Sequence, residues 1–196
     1  MEAPLAVLDT CVLYPRTVRD LLLDYAIEGL FEPLWSDDIL TELRRTCVRR
    51  NNPADGGAAL VSALSRVFPE ALGAGYQSLV PALVLPDSDD RHVLALALHH
   101  EAEFVVTSNL ADFPAPLPAG VLALSPDDFL SRLTDAQPNR ALAAAQAHRI
   151  QRRLDPSDHL SLLTRAGLVH TAAGLARRFV VPIPRIPEDA TEPTPG

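Results

Sequence analysis

Short apolar runs without helical periodicity recur along the chain and alternate with longer stretches of mixed polar and apolar residues. Runs of this length predict buried strands of a parallel sheet. We expect strands at residues 5–8, 31–35, 79–85, 104–108 and 121–124. Pro81 weakens the third run as a central strand, because proline has no N–H to donate to a neighbouring strand.

The stretches between these runs carry helix signals. Residues 16–29 predict a helix that Gly29 ends, and Ser36 is a good N-cap for a helix that runs to about residue 50. A further helix is expected over residues 54–67. Strands that alternate with helices in this way predict a three-layer α/β fold around a central parallel sheet.

Two more helices begin at serine residues. Ser88 is expected to cap a helix whose middle, residues 93–98, is apolar on every side and therefore buried. Ser125 is followed by Pro126 and by two acids, Asp127 and Asp128, which favour a helix start because they complement the helix dipole.

The character of the chain changes beyond residue 133, where strand signals end. Residues 141–154 predict one strong helix, and two shorter helices follow around Gly167. We therefore divide the chain into an α/β domain over residues 1–133, a helical extension over residues 134–180 and a proline-rich tail over residues 181–196. The extension is too small to fold well alone, so it should pack on the first domain or on a partner.

Composition and charge narrow the function. The formal net charge of −8 argues against a passive electrostatic binder of nucleic acid, but not against an enzyme that acts on phosphates with a bound cation. No apolar run approaches the roughly 20 residues of a membrane span, which predicts a cytoplasmic protein. Cys11 and Cys47 have no CxxC spacing, so we expect reduced thiols and no structural zinc site.

Acidic residues follow strands or begin helices across the whole α/β region. They are Asp9, Glu42, Asp89, Asp90 and Asp112. Residues at such points can meet at one edge of a parallel sheet, where open α/β folds place their ligands. Two unit charges about 4 Å apart repel by about 4 kcal/mol near a protein surface, so an acid cluster needs a cation. The pattern predicts a site for Mg²⁺ or Mn²⁺.

Each acid also has a simpler explanation when it is taken alone. Asp9 can cap the turn that follows it, and Asp89 with Asp90 can complement a helix N-terminus. Glu42 shares one helical stripe with Asp38, Arg45 and Arg49, as on a solvated face held by salt bridges.

Three segments together resemble the PIN-domain ribonucleases, specifically the VapC-type toxins of bacterial toxin–antitoxin pairs. The segments are LAVLDTCVL (residues 5–13), ILTELRR (residues 39–45) and PDSDDRHVLALALHHEAEFVVTSNLADF (residues 86–113). The third is the most specific, because an acid before an apolar helix, a strand and then T-x-[ND]-x-x-D-F recur together in that family. The helical extension resembles the C-terminal region of a subset of these toxins.

The resemblance implies a PIN-like α/β/α domain and a Mg²⁺- or Mn²⁺-dependent endoribonuclease. It also implies an antitoxin whose C-terminal segment covers the acidic pocket, and a homodimer. The family's acids fall on Asp9, Glu42 and Asp90, while the fourth position is divided between Asn109 and Asp112. We predict Asp9, Glu42, Asp90 and Asp112 as catalytic, and Asp9, Asp90, Asp112 and Asn109 as metal ligands, with Asp87 and Asp89 as possible outer ligands.

Hydroxyl and arginine side chains near these acids are candidate substrate contacts. Thr10 and Ser108 can bind an RNA phosphate or orient ligands through their hydroxyls. Arg45 and Arg49 belong to the segment RRTCVRR, where Arg44 and Arg50 add further positive charge, and they can bind phosphates. An ordinary solvated helix end explains these arginines about equally well.

Other functions compete with this interpretation. A DNA flap or single-strand nuclease uses the same chemistry, and a catalytically weak PIN-like module would use the acids only to bind a basic antitoxin peptide. A haloacid-dehalogenase phosphatase also begins with an aspartate at a strand end. That class requires a second aspartate two positions later, where this chain has Cys11.

Overall fold

Four parallel strands form the centre of the molecule. A computed structural model describes residues 3–50 and 55–179. The strands are β1 (Leu5–Leu8), β2 (Glu32–Leu34), β3 (Phe104–Val106) and β4 (Leu122–Leu124), in the sheet order β2-β1-β3-β4. All three pairings are parallel, so the carboxyl ends of the strands lie at the same edge. The α/β class and the parallel sheet predicted from the sequence are confirmed.

Helices follow the strands and cover the sheet in a three-layer α/β/α arrangement. In the first domain they are α1 (Thr10–Leu13), α2 (Arg16–Ile27), α3 (Asp37–Arg49), α4 (Ala58–Val67), α5 (Arg91–His99) and α6 (Pro126–Ala136). Ser36 and Ser125 cap α3 and α6 as predicted, because their hydroxyls accept from the backbone N–H groups of Ile39 and Asp128. The middle of α5, from Val93 to Ala97, is buried, which also agrees with its apolar sequence.

Three local predictions are wrong. Residues 79–85 are not a strand but contain a short 3₁₀ turn, Val80–Ala82, and Val84 is 89% exposed. Ser88 does not cap α5, because that helix begins at Arg91 with Asp90 at its N-cap. The fourth helix begins at Ala58, since Gly56 and Gly57 have positive φ angles that end the preceding turn. Residues 51–54, which include the predicted start of this helix at residue 54 and the predicted interruption between it and α3, lie outside the described residues.

Three C-terminal helices pack against the first domain, as expected of an extension too small to fold alone. They are α7 (Pro138–Gln151), α8 (Pro156–Arg165) and α9 (Val169–Phe179). Helix α7 packs on α2, and α9 packs on α6 and α8. The side chain of Asp127 in α6 accepts hydrogen bonds from the backbone N–H groups of His170 and Thr171, both 2.8 Å, and so caps α9.

Further polar contacts join α2 to the C-terminal part of the chain. Arg152 Nη2 donates to Asp20 Oδ2 at 2.7 Å, and the hydroxyls of Tyr25 and Thr134 are 2.8 Å apart. Helix α6 extends across the predicted boundary at residue 133, and that boundary stays a prediction. The predicted tail over residues 181–196 lies outside the described residues. Within the described ranges, none of the helices has the length and apolarity that crossing a lipid bilayer requires.

Candidate functional site

Asp9 lies where β1 ends, at the carboxyl edge of the sheet, and its side chain is held by two donors. Asp9 is buried, with only 4% of its surface exposed. The hydroxyl of Thr107, directly after β3, donates to Asp9 Oδ2 at 2.7 Å, and Cys11 Sγ donates to the same oxygen at 3.1 Å. The ends of the two central strands are therefore joined through one buried carboxylate. Thr107 was not predicted as a site residue.

Cys11 is a polar member of this cluster rather than a small hydrophobic residue. Burial and the nearby Asp9 charge raise the pKa of the Cys11 thiol to about 11, so the thiol keeps its proton. The backbone N–H of Ser108 donates to Cys11 Sγ at 3.0 Å. Cys11 therefore links the end of β1 to the loop after β3.

Glu42 lies on α3 and is held at both carboxylate oxygens by other elements. Thr10 Oγ1 donates to Glu42 Oε2 at 3.0 Å, and His92 Nε2 donates to Glu42 Oε1 at 3.0 Å. Burial alone would raise the pKa of Glu42, but the His92 and Thr10 contacts outweigh burial and hold it below its ordinary value. Burial alone would lower the pKa of His92, yet its Glu42 partner raises it. His92 was not predicted as a site residue.

Asp90 is a partly buried acid whose pKa is affected by the charges of several other acids. Burial, followed by the charges of Asp9, Asp112, Asp87 and Glu42, raises its pKa to about 7. No side-chain hydrogen bond from Asp90 caps α5. The charges of Asp9, Glu42 and Asp112 therefore all act on Asp90. Among residues 3–50 and 55–179, however, no three His, Cys, Asp or Glu side chains form a ready group of metal ligands.

Asn109 and Asp112 lie in the loop after β3, and they interact with different residues of the site. The backbone N–H of Asn109 donates to Thr107 Oγ1 at 3.0 Å, and Asn109 lines the cleft beside Thr10 and Glu42. Asp112 ends the 3₁₀ turn Leu110–Asp112 and acts on Asp90 through its charge. The choice between Asn109 and Asp112 as the fourth ligand stays open.

The two outer acids and Ser108 are on the surface. Asp87 and Asp89 are exposed, and Asp87 Oδ1 accepts a hydrogen bond from the backbone N–H of Asp89 at 2.9 Å. Of the two, Asp89 lines the cleft. Ser108 is exposed, so its hydroxyl is accessible to a ligand, whereas the hydroxyl of Thr10 already contacts Glu42 and the carbonyl of Ile39.

A cleft of about 500 Å³ adjoins the acids and is basic along its α3 wall. Its lining residues are Thr10, Cys11, Tyr14, Glu42, Arg45, Thr46, Arg49, Arg50, Asp89 and Asn109. Arg45 and Arg49 also line a second depression of about 580 Å³ together with Arg44. Within the described part of the chain, none of these four arginines forms an ion pair. The predicted alternative of a salt-bridged α3 face is therefore not seen there.

The donor chemistry of this edge fits a hard divalent cation. The groups around Asp90 are carboxylates, which Mg²⁺ and Mn²⁺ prefer, and their charges add to burial in raising the pKa of Asp90. Mg²⁺ commonly binds through one or two carboxylates and keeps several waters, so it does not need a ready group of three ligands. Carboxylates do not suit a soft metal, and Cys11 does not supply a thiolate ligand because its thiol keeps its proton.

Comparisons with known proteins agree with the fold. A PIN-domain model matches residues 6–111, and the chain belongs to the PIN-domain family. The VapC50 C-terminal domain matches residues 126–177, which identifies the VapC type that the three sequence segments predicted.

One curated relative is similar over part of its length. The chain is 47% identical over 62 residues to "Putative ribonuclease VapC50" of Mycobacterium tuberculosis (strain ATCC 25618 / H37Rv). This stretch is 31% of the present chain and spans 36% of that relative. No solved structure matches the chain.

Proposed function

We propose that the protein is a Mg²⁺- or Mn²⁺-dependent endoribonuclease and the toxin of a toxin–antitoxin pair. The observation that carries the proposal is the group of acids around Asp90: burial first, and then the charges of Asp9, Asp112, Asp87 and Glu42, raise the pKa of Asp90 to about 7. Carboxylates that repel in this way favour the uptake of a divalent cation. The PIN-domain match and the ribonuclease named among the relatives support the same chemistry.

Asp9, Asp90 and Asp112 would hold the metal, with Asn109 as the alternative to Asp112. A metal bound there would polarise the scissile phosphate and acidify a water. Thr107 and Cys11 fix the Asp9 carboxylate by donating to Oδ2. Glu42, held by Thr10 and His92, orients the attacking water for in-line displacement.

Substrate binding follows from the arginines of the cleft. Arg45 and Arg49 are exposed and line the cleft on the same helix as Glu42, where they would contact phosphates of the RNA backbone. Ser108 would add a hydroxyl contact to a phosphate. These positive charges act locally in a chain with a net charge of −8.

The family also supports an antitoxin partner, a homodimer and a cytoplasmic location, all of which we keep as parts of the proposal. We retain the division into a nuclease domain over residues 1–133 and a helical extension over residues 134–180. The match of residues 126–177 to the VapC50 C-terminal domain supports an extension that belongs to the toxin itself.

Asp9→Asn tests the proposal. The asparagine keeps an oxygen to accept from Thr107, but it removes a negative charge at the metal, so Mn²⁺-stimulated RNA cleavage should fall by roughly 100-fold or more. The measurement compares labelled RNA and DNA oligonucleotides with and without Mn²⁺, alongside Mn²⁺ affinity by calorimetry.

Asp158→Asn is the matched control, because Asp158 is an exposed acid on α8, and this variant should cleave RNA at the wild-type rate. Undiminished cleavage by a clean Asp9→Asn preparation would remove Asp9 from the site. Faster cleavage of DNA would favour the single-strand DNA nuclease. Tight binding of a basic peptide without Mn²⁺ binding or cleavage would favour the binding module.

A further inference from the structure

We propose that His92 is a positioning residue that fixes the Glu42 carboxylate toward the attacking water and away from the metal. The inference rests on the proposed function and names a residue that the sequence motifs did not place in the site. His92 lies in the first turn of α5, two positions after Asp90. It would act on the reaction only through Glu42.

Glu42 is held from two sides by separate elements. Thr10 Oγ1, at the start of α1, donates to Oε2, and His92 Nε2 donates to Oε1, each at 3.0 Å. A carboxylate offers about four acceptor positions, so two remain after these bonds form. The remaining positions can accept from a water, while the two bonds prevent the group from rotating freely.

The second nitrogen of His92 shows that packing alone does not explain this residue. His92 Nδ1 is buried and has no hydrogen-bond partner among the described residues. Burying an unpaired polar atom is unfavourable, and an aliphatic side chain would fill the same space without that cost. The polar contact that the ring does make is the one to Glu42, which indicates that this contact is its role.

The position of His92 on α5 connects two parts of the site. Asp90 is the N-cap of α5, and His92 is the second residue of the same helix. One rigid turn therefore holds both the proposed metal ligand Asp90 and the donor that fixes Glu42. This arrangement sets the separation between the metal and the water-orienting carboxylate, a quantity on which in-line attack depends.

Two substitutions separate positioning from packing. His92→Leu keeps a side chain that can fill the space at this position of α5 but removes the donor to Glu42, whereas His92→Gln keeps a side-chain N–H that can reach Oε1. We expect His92→Leu to lower kcat for Mn²⁺-dependent RNA cleavage by about 10-fold to 100-fold, with KM and Mn²⁺ affinity changed by less than about twofold. His92→Gln should recover most of the lost kcat.

A double-mutant cycle with Glu42→Gln asks whether His92 acts through Glu42. In the Glu42→Gln background, His92→Leu should have little further effect on kcat, because the group that it positions has lost its charge. His99→Leu is the matched control, since His99 is exposed in the last turn of the same helix and should leave kcat unchanged.

Any of the following results would overturn the inference. Equal losses in His92→Leu and His92→Gln, or an undiminished effect of His92→Leu in the Glu42→Gln background, would show that His92 does not act by donating to Glu42. A large loss of Mn²⁺ affinity in His92→Leu would show instead that the residue supports the metal ligands. If the wild-type protein binds Mn²⁺ but cleaves no RNA, the proposed function fails and this inference fails with it.

Discussion

The buried pair His148 and His159 should make stability fall as the pH is lowered. Arg152 Nε donates to His148 Nε2 at 3.0 Å, so His148 carries its proton on Nδ1 and donates to His159 Nε2 at 2.8 Å. A proton added to His148 Nε2 would lie against the N–H of Arg152, and a proton added to His159 Nε2 would lie against the N–H of His148. Burial, followed by Arg152 for His148 and by Arg149 for His159, lowers the pKa of each ring to about 4.

The magnitude follows from proton linkage. A ring with a native pKa of about 4 and an ordinary value of 6.5 remains neutral in the folded state near pH 5, whereas it is protonated in the unfolded state. The unfolded state therefore binds more protons, and stability decreases from about pH 6.5 toward pH 4. Between about pH 7 and pH 5 the loss is about 2 kcal/mol for each ring.

Comparison with His159→Gln isolates this effect. Glutamine offers an oxygen to His148 Nδ1 but does not titrate, so the variant should lose about 2 kcal/mol less than the wild type between about pH 7 and pH 5. The measurement is the free energy of unfolding in urea by circular dichroism at each pH. Asp24 and Asp90, whose pKa values rise to about 6 and about 7, favour folding at low pH, but they do so in both proteins.

The exposed His99 provides a control, because His99→Gln should follow the wild-type pH profile. If the stability difference between the wild type and His159→Gln were the same at both pH values, the two rings would not be neutral in the folded state. The reasoning from their hydrogen bonds would then be wrong.

Two other substitutions test the attachment of the extension and the basic wall of the cleft. Asp127→Ala should destabilise the protein by about 2–4 kcal/mol, measured by urea unfolding, because it leaves the backbone N–H groups of His170 and Thr171 without their acceptor. An unchanged midpoint would contradict the capping role. The double substitution Arg45→Gln with Arg49→Gln should raise KM for RNA several-fold with little change in kcat, and should lower the salt dependence of RNA binding by a log–log slope of about 1.4. Arg165→Gln on α8 is the control for the loss of positive charge, and equal effects at the two sites would argue against phosphate binding by α3.

Local signals in the sequence were enough to predict the parallel sheet. The apolar run at residues 5–8 matches β1, and the run predicted at residues 104–108 contains β3, which ends at Val106, without any knowledge of distant contacts. Ser36 and Ser125 were predictable as caps because an N-cap serine acts on the first turn of its own helix. Periodicity failed at residues 79–85, because an apolar run with proline can pack as a turn as well as a strand.

The contacts that hold the site together were not predictable, because they join residues far apart in sequence. Thr107 and Asp9 are 98 positions apart, and His92 and Glu42 are 50 positions apart. Only one of the two roles of Asp127 was predictable. Its position predicted only a favourable charge at the start of α6, yet its carboxylate also caps α9, 43 residues later.

The acids of the site differ in what balances their charge, and this difference explains how the cluster exists in a folded protein. Asp9 accepts from Thr107 and Cys11, and Glu42 accepts from Thr10 and His92, so protein donors stabilise both carboxylates. Asp90 has no such donor among the described residues, and its pKa of about 7 shows that a proton can take that place. Because donors already stabilise Asp9 and Glu42, Asp90 would gain more from a bound cation than either of them. Burial and the charges of the neighbouring acids therefore act together on this one residue.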